Sequence, residues 1–167
     1  MQRILWLYMA LALNACVMVP QELRSGEPFA ATTPLQAQSG MHEGERVRWG
    51  GVIIHATTRS DQTCFEILGL SLDSSAQPQA NDQSEGRFIA CAKGFYDPAL
   101  YAAGRELSFT GRIDGSEQRK IGEYDYRFPR LLADALHLWP ERSNVVYVPY
   151  YDPFWDPFWP YSYYPYR

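Results

Sequence analysis

The chain has 167 residues, with 15 basic against 19 acidic side chains and a formal charge of −4. A mildly acidic chain carries neither the electrostatic footprint of a nucleic-acid binder nor a polybasic patch for anionic lipid. A composition that is 46% hydrophobic and 15% aromatic at this length suits one domain plus tails.

Arg3 gives a positive start, Ile4 to Leu13 is an apolar run of ten, and Leu13-Asn14-Ala15-Cys16 closes it. That order predicts a secretory signal peptide over residues 1–15. The run is too short for a membrane span, which needs about 20 apolar residues. Leu13-Asn14-Ala15-Cys16 resembles the bacterial lipobox. The resemblance implies that Cys16 is acylated, with palmitate among the chains, and becomes the new first residue. Ordinary secretion, with Cys16 a chance residue near the cut, is the competing reading. Two or more acyl chains anchor stably, at about 0.8 kcal/mol per buried methylene. In bacterial lipoproteins an Asp after the acylated cysteine marks retention in the inner membrane. Val17 stands there, which implies the outer membrane.

Residues 16–41 read as a lipidated tether. They hold Pro20, Pro28 and Pro34 among small and polar residues without a sustained period. Such a segment buries too little apolar surface to offset its ordering entropy, although Phe29 and Leu35 are placed to touch the domain. A β-domain is expected over residues 42–142. Its first strand starts at Arg46 and runs to His55, with a bulge or bend predicted at Gly50-Gly51. A second strand is read over Thr63 to Leu70 and, after a polar loop, a third over Gly86 to Lys93. A short helix follows, with Asp97 as N-cap, Pro98 at the first helical position and Gly104 past its end. The fourth strand is read over Arg105 to Ile113, with Leu107, Phe109, Gly111 and Ile113 inward. Asp114-Gly115 then opens a hairpin loop. Glu123 to Phe128 is the fifth strand. Leu131 to Trp139 either continues it past Pro129 or forms a helix.

Cys64 and Cys91 form an even pair in an oxidising compartment. If they face each other across antiparallel strands, Phe65 meets Ala90 and Ile67 meets Phe88, so the apolar faces coincide. Glu66 and Arg87 then share the other face with the cysteines. A slip of one residue would send one set to the wrong side. This register favours a Cys64–Cys91 disulfide over two buried thiols. The order of elements predicts an all-β fold: a small five-stranded OB-like barrel with one short helix between strands 3 and 4. A sandwich of similar size is the rival.

Residues 143–167 form a separate aromatic and proline-rich tail. Tyr147 to Arg167 contains seven Tyr, two Phe and two Trp, and Asp152-Pro153-Phe154-Trp155 recurs as Asp156-Pro157-Phe158-Trp159. Proline at this density prevents a regular helix or a central strand and favours extended structure. Tyr150, Tyr151, Phe154, Trp155, Phe158 and Trp159 are the candidate contact residues. They suit the membrane interface, stacking on a glycan or a partner protein of the envelope, or the chain's own barrel.

No nucleophile elbow, phosphate loop or His-Glu-x-x-His motif is present, so neither a catalytic residue nor a cofactor or metal site is assigned. His42, His55 and His137 are isolated in sequence. Glu123 and Asp125, about 7 Å apart on one strand face, have the types for glycosidic acid–base chemistry but read first as a solvated face.

The segments Val47 to Ile53, Ser84-Glu85-Gly86-Arg87-Phe88, Gly94-Phe95-Tyr96-Asp97-Pro98, Gly104-Arg105, Gly122-Glu123-Tyr124 and His137-Leu138-Trp139-Pro140 resemble the starvation-inducible outer-membrane lipoprotein family (Slp). The resemblance covers most of residues 46–140 and agrees with the lipobox. It implies an envelope lipoprotein of the outer membrane, facing the periplasm, linked to starvation or stress and without established enzymatic activity. The expectation is a non-enzymatic structural or binding module, with a binder of a small hydrophobic or saccharide ligand as the alternative. The cysteine pairing rests on strand register and not on the family pattern.

Overall fold

The computed structural model describes residues 18–142. The signal segment, Cys16 and the tail residues 143–167, with all six candidate contact aromatics, lie outside them. Five strands, β1 (Arg46–Thr58), β2 (Gln62–Leu70), β3 (Gly86–Lys93), β4 (Glu106–Ile121) and β5 (Tyr124–Leu138), close in the ring order β1-β2-β3-β5-β4. Neighbours run antiparallel except β3 and β5, which pair in parallel from Ile89 with Arg130 to Ala92 with Ala133. The architecture is the predicted all-β, OB-like barrel. Closure pairs strand edges that an open sheet would leave free.

Period-two alternation fills the interior. Trp49, Ile53, Phe65, Ile67, Phe88, Leu107, Phe109 and Leu131 are buried in one cluster. The Phe109 ring lies 5.9 Å from that of Phe65 and 6.1 Å from that of Phe88. These rings occupy the barrel axis, so the interior is a packed core. Between β2 and β3, Cys64 faces Cys91, Phe65 faces Ala90 and Ile67 faces Phe88, the predicted register.

Local expectations change at two places, and a third that was left open is decided. The β1 bulge falls between Ile53 and His55, not at the glycine pair. Gly50 and Gly51 serve close approach instead: β1 pairs on both sides there, and a Cβ on Gly51 would stand 1.9 Å from the Leu68 carbonyl oxygen. Asp114-Gly115 is a bulge and not a hairpin loop, because β4 continues to Ile121 and the register shifts between Ile113 and Ser116. The two-residue loop is Gly122-Glu123, where Gly122 adopts φ +61°. Leu131 to Leu138 continues β5 past Pro129 as strand.

The segment expected as a helix between β3 and β4 is a single turn. Asp97 caps it as predicted, its carboxylate accepting from the Ala99 amide at 2.9 Å. The Asp97 carbonyl accepts from the amides of Leu100 and Tyr101, and Gly104 then donates to the Ile53 carbonyl. Pairing with β1 draws the backbone away before a second turn forms, and one turn alone does not offset helix nucleation. The α-helix that does form, α1 (Pro34–Ala37), precedes β1. Thr33 and Gln36 close a capping box around its start.

The described part of the expected tether is a strap on the barrel. The Ala30 amide donates to the Arg46 carbonyl and the Leu35 amide to the Glu85 carbonyl. Trp49 Nε1 donates to the Thr32 carbonyl at 2.7 Å, and Arg48 donates to the Leu23 carbonyl at 2.9 Å while lying 4.3 Å from the Phe29 ring centroid. Leu23 and Ala37 are buried, whereas Leu35 points to solvent. Polar anchors on β1 thus hold a segment that has no periodicity of its own.

Candidate functional site

Three parts of the described surface are candidates. The first is the outer face of β2 and β3, where Cys64 and Cys91 are joined with their Cα atoms 4.0 Å apart. That spacing is close to a non-hydrogen-bonded antiparallel pair. The disulfide lines a cavity of about 90 Å³ with Arg59, Gln62, Arg119 and Arg130. Each neighbouring acid is engaged: Arg87 pairs with Glu66 at 3.0 Å, Arg119 with Glu117 at 2.7 Å, and Arg130 with Asp114 across the β4 bulge. The hydrogen bond from Arg119, reinforced by its charge and those of Arg130 and Arg59, holds the Glu117 carboxyl below its ordinary range. The same bond raises Arg119. The cavity is smaller than the roughly 300–1,000 Å³ that drug-sized ligands occupy.

The second part is a groove where β3 and β5 part company. Its volume is about 330 Å³, and Lys93, Tyr96, Leu132 and Asp134 line it. It opens beside the β3–β4 turn, whose side chains alternate. Tyr96 and Tyr101 turn inward, 5.1 Å apart, and both rings reach Phe65, closing that end of the barrel. The Tyr101 hydroxyl is raised by burial and by the neighbouring Tyr96. Phe95 and Leu100 turn outward and are 71% and 61% exposed.

The third part is the junction of the two chain ends. Val19 packs against Leu23, Ala76 and Trp139. Trp139 Nε1 donates to Ser108 Oγ, which donates to the Ala76 carbonyl, so a buried polar pair ties β4, the residue after β5 and the 71–85 loop together. Glu22 meets His137 at 2.6 Å. Arg105 donates to the carbonyls of both Leu100 and Trp139, which fixes the β3–β4 turn to this junction. Three segments that carry the family resemblance, 94–98, 104–105 and 137–140, therefore meet at one end of the barrel.

The remaining sequence candidates stay apart. His42 pairs with Glu45, His137 with Glu22, and His55 is exposed on β1. Glu123 sits in the β4–β5 turn and Asp125 follows it, both exposed. Sequence reasoning missed the strap and the Trp139–Ser108–Ala76 junction. The first had a readable signal in Thr33-Pro34-Leu35-Gln36, a capping box with proline at the first helical position. The second joins residues about 30 apart through single side chains, and no local pattern announces it.

Among the described residues no helix is long and apolar enough to cross a membrane. A model of the outer membrane lipoprotein Slp family matches residues 13–167. The uncharacterised lipoprotein YeaY of Escherichia coli K12 is 30% identical over 142 residues, covering 84% of this chain and 73% of its own. The outer membrane protein Slp of the same organism is 30% identical over 145 residues, covering 83% and 75%. An uncharacterised protein of Haemophilus influenzae is 33% identical over 130 residues, covering 76% and 70%. The family match starts three residues before Cys16 and runs through the barrel and the tail, and the chain belongs to the outer membrane lipoprotein Slp family.

Proposed function

We propose that this protein is a lipid-anchored component of the outer membrane that faces the periplasm. In this reading residues 1–15 are a removed signal peptide, Cys16 carries the acyl chains, and the barrel is a non-enzymatic structural or binding module linked to starvation or stress. The aromatic tail, with Tyr150, Tyr151, Phe154, Trp155, Phe158 and Trp159, is its arm for an envelope protein or glycan. One observation carries the reading: the family match includes the lipobox-like residues before Cys16 together with the whole barrel. The relatives' names, a lipoprotein and an outer membrane protein, agree with it. The filled barrel interior supports a role exercised at the surface.

A second reading, a binder of a small saccharide or hydrophobic ligand, is favoured by the groove at the parting of β3 and β5. Its volume of about 330 Å³ is of ligand size, and Tyr96, Lys93 and Asp134 put aromatic and polar atoms on its lining. The lipid anchor is tested by Cys16→Ser. The variant is expected in the soluble periplasmic fraction. Unchanged membrane fractionation contradicts the proposal.

A further inference from the structure

We propose that the β3–β4 turn is a second, protein-borne contact with the bilayer, with Phe95 and Leu100 seated at the lipid–water interface. The inference rests on the anchor reading above and adds to it an orientation of the barrel.

Phe95 and Leu100 are large apolar side chains left in solvent by a turn whose other aromatic positions, Tyr96 and Tyr101, face the core. Phe95 and Leu100 thus leave two large apolar side chains of one turn open to a covering surface. The points where the described chain ends say which surface. Val19, three residues after Cys16, is packed against the cluster of Leu23, Ala76 and Trp139. Arg142, where the tail departs, donates to Glu106 and to the Pro78 carbonyl in the same neighbourhood. Arg105 links the Trp139 carbonyl to the Leu100 carbonyl, so the turn and both exits share one end of the barrel. Only Val17 and Met18 separate an acylated Cys16 from the packed Val19. A link of that length holds this end against the headgroups, where two apolar side chains too weak to bind alone act at high effective concentration.

Met18, next to Val19, is also exposed, and a control is found away from this end. Tyr124 is 71% exposed, like Phe95, but lies beside the tip of the β4–β5 hairpin. β4 and β5 run antiparallel, so that hairpin is at the far end from the Leu107–Leu138 pair. Tyr124 therefore serves as an internal control of equal exposure and opposite placement.

The test places a photoreactive benzoylphenylalanine at Phe95, Leu100 or Tyr124 of the full mature chain. Each acylated protein is reconstituted into vesicles of phosphatidylethanolamine and phosphatidylglycerol and irradiated. Lipid adducts are expected at 95 and 100 at several times the yield at 124. Equal yields at all three sites overturn the docking, as do adducts at 95 and 100 to a second copy of the chain in place of lipid. The mass of the N-terminal peptide from the same samples reports the anchor separately. An acylated Cys16 with no lipid at 95 or 100 overturns the docking and leaves the anchor standing, whereas an unacylated Cys16 overturns both.

Discussion

The strap over residues 18–45 and the barrel it lies on are held by different forces. The barrel closes around side chains fully withdrawn from water, Phe65, Phe88 and Phe109 among them. The strap buries few side chains and relies on single hydrogen bonds to β1 and β5: Arg48 to Leu23, Trp49 to Thr32, and Gln38 to Tyr126. Apolar burial scales with area, so the barrel gains cooperatively. Each strap contact contributes about 1 kcal/mol net. The chain thus has a densely packed body and a segment held by fewer contacts. The difference teaches that, under the proposed anchor at Cys16, the segment leading to the membrane is the one easiest to open.

The largest expected effect comes from the barrel. Phe109→Ala removes a buried ring between Phe65 and Phe88 and is expected to cost about 3–5 kcal/mol in denaturant unfolding. The strap should melt with the barrel, because its partners are barrel residues. A loss below about 1 kcal/mol would mean that the core does not centre on this ring. Replacing Cys64 and Cys91 together by Ala opens a cross-link of sequence separation 27 and is expected to cost about 3 kcal/mol. A pair of alkylatable thiols in native material would remove the basis of that prediction.

Smaller effects belong to the strap. Thr33→Ala removes the cap of α1 and is expected to cost about 1 kcal/mol. Hydrogen exchange should report it as faster exchange of the Leu35 and Ala37 amides with barrel amides unchanged. Equal acceleration in β2 and β3 would merge the two regions into one cooperative unit. Acid should separate them further. Glu22 is held below its ordinary value by backbone and His137 hydrogen bonds, and Glu45 by hydrogen bonds from Thr32 and His42. A carboxyl lowered in the folded state stabilises fully above its unfolded value and loses that contribution as pH falls through the folded one. Glu85, raised by burial, runs the other way. With two lowered groups against one raised, strap amides should lose protection before barrel amides as pH drops below about 4.5, the ordinary glutamate value. Protection that is flat through that window would show that these carboxylates do not hold the strap.

The barrel was legible because its signal is local and repeated. Alternation in Thr63 to Leu70 and Gly86 to Lys93, joined by two cysteines, set both register and face. The ends of elements were less legible for identifiable reasons. Asp114-Gly115 has the residue types of a hairpin turn, but a bulge also accepts a glycine at φ +80°, and only the length of the partner strand decides between them. The 97–104 segment carries a helix cap, and its use is limited by where β1 stands in space. Apart from the capping box at Thr33 and Gln36, the strap has neither period nor length to declare itself, since Arg48, Trp49 and Tyr126 supply its partners from the barrel. The predicted Cys16 and tail aromatics lie outside the described residues, so the geometry bears on the anchor only through the position of Val19 and on the tail only through Arg142.

The most direct measurement is the intact mass of the N-terminal peptide of protein extracted from the outer membrane. A peptide that begins at Cys16 and carries fatty acyl chains is the predicted result. An unmodified Cys16, or a chain still bearing residues 1–15, would contradict the account.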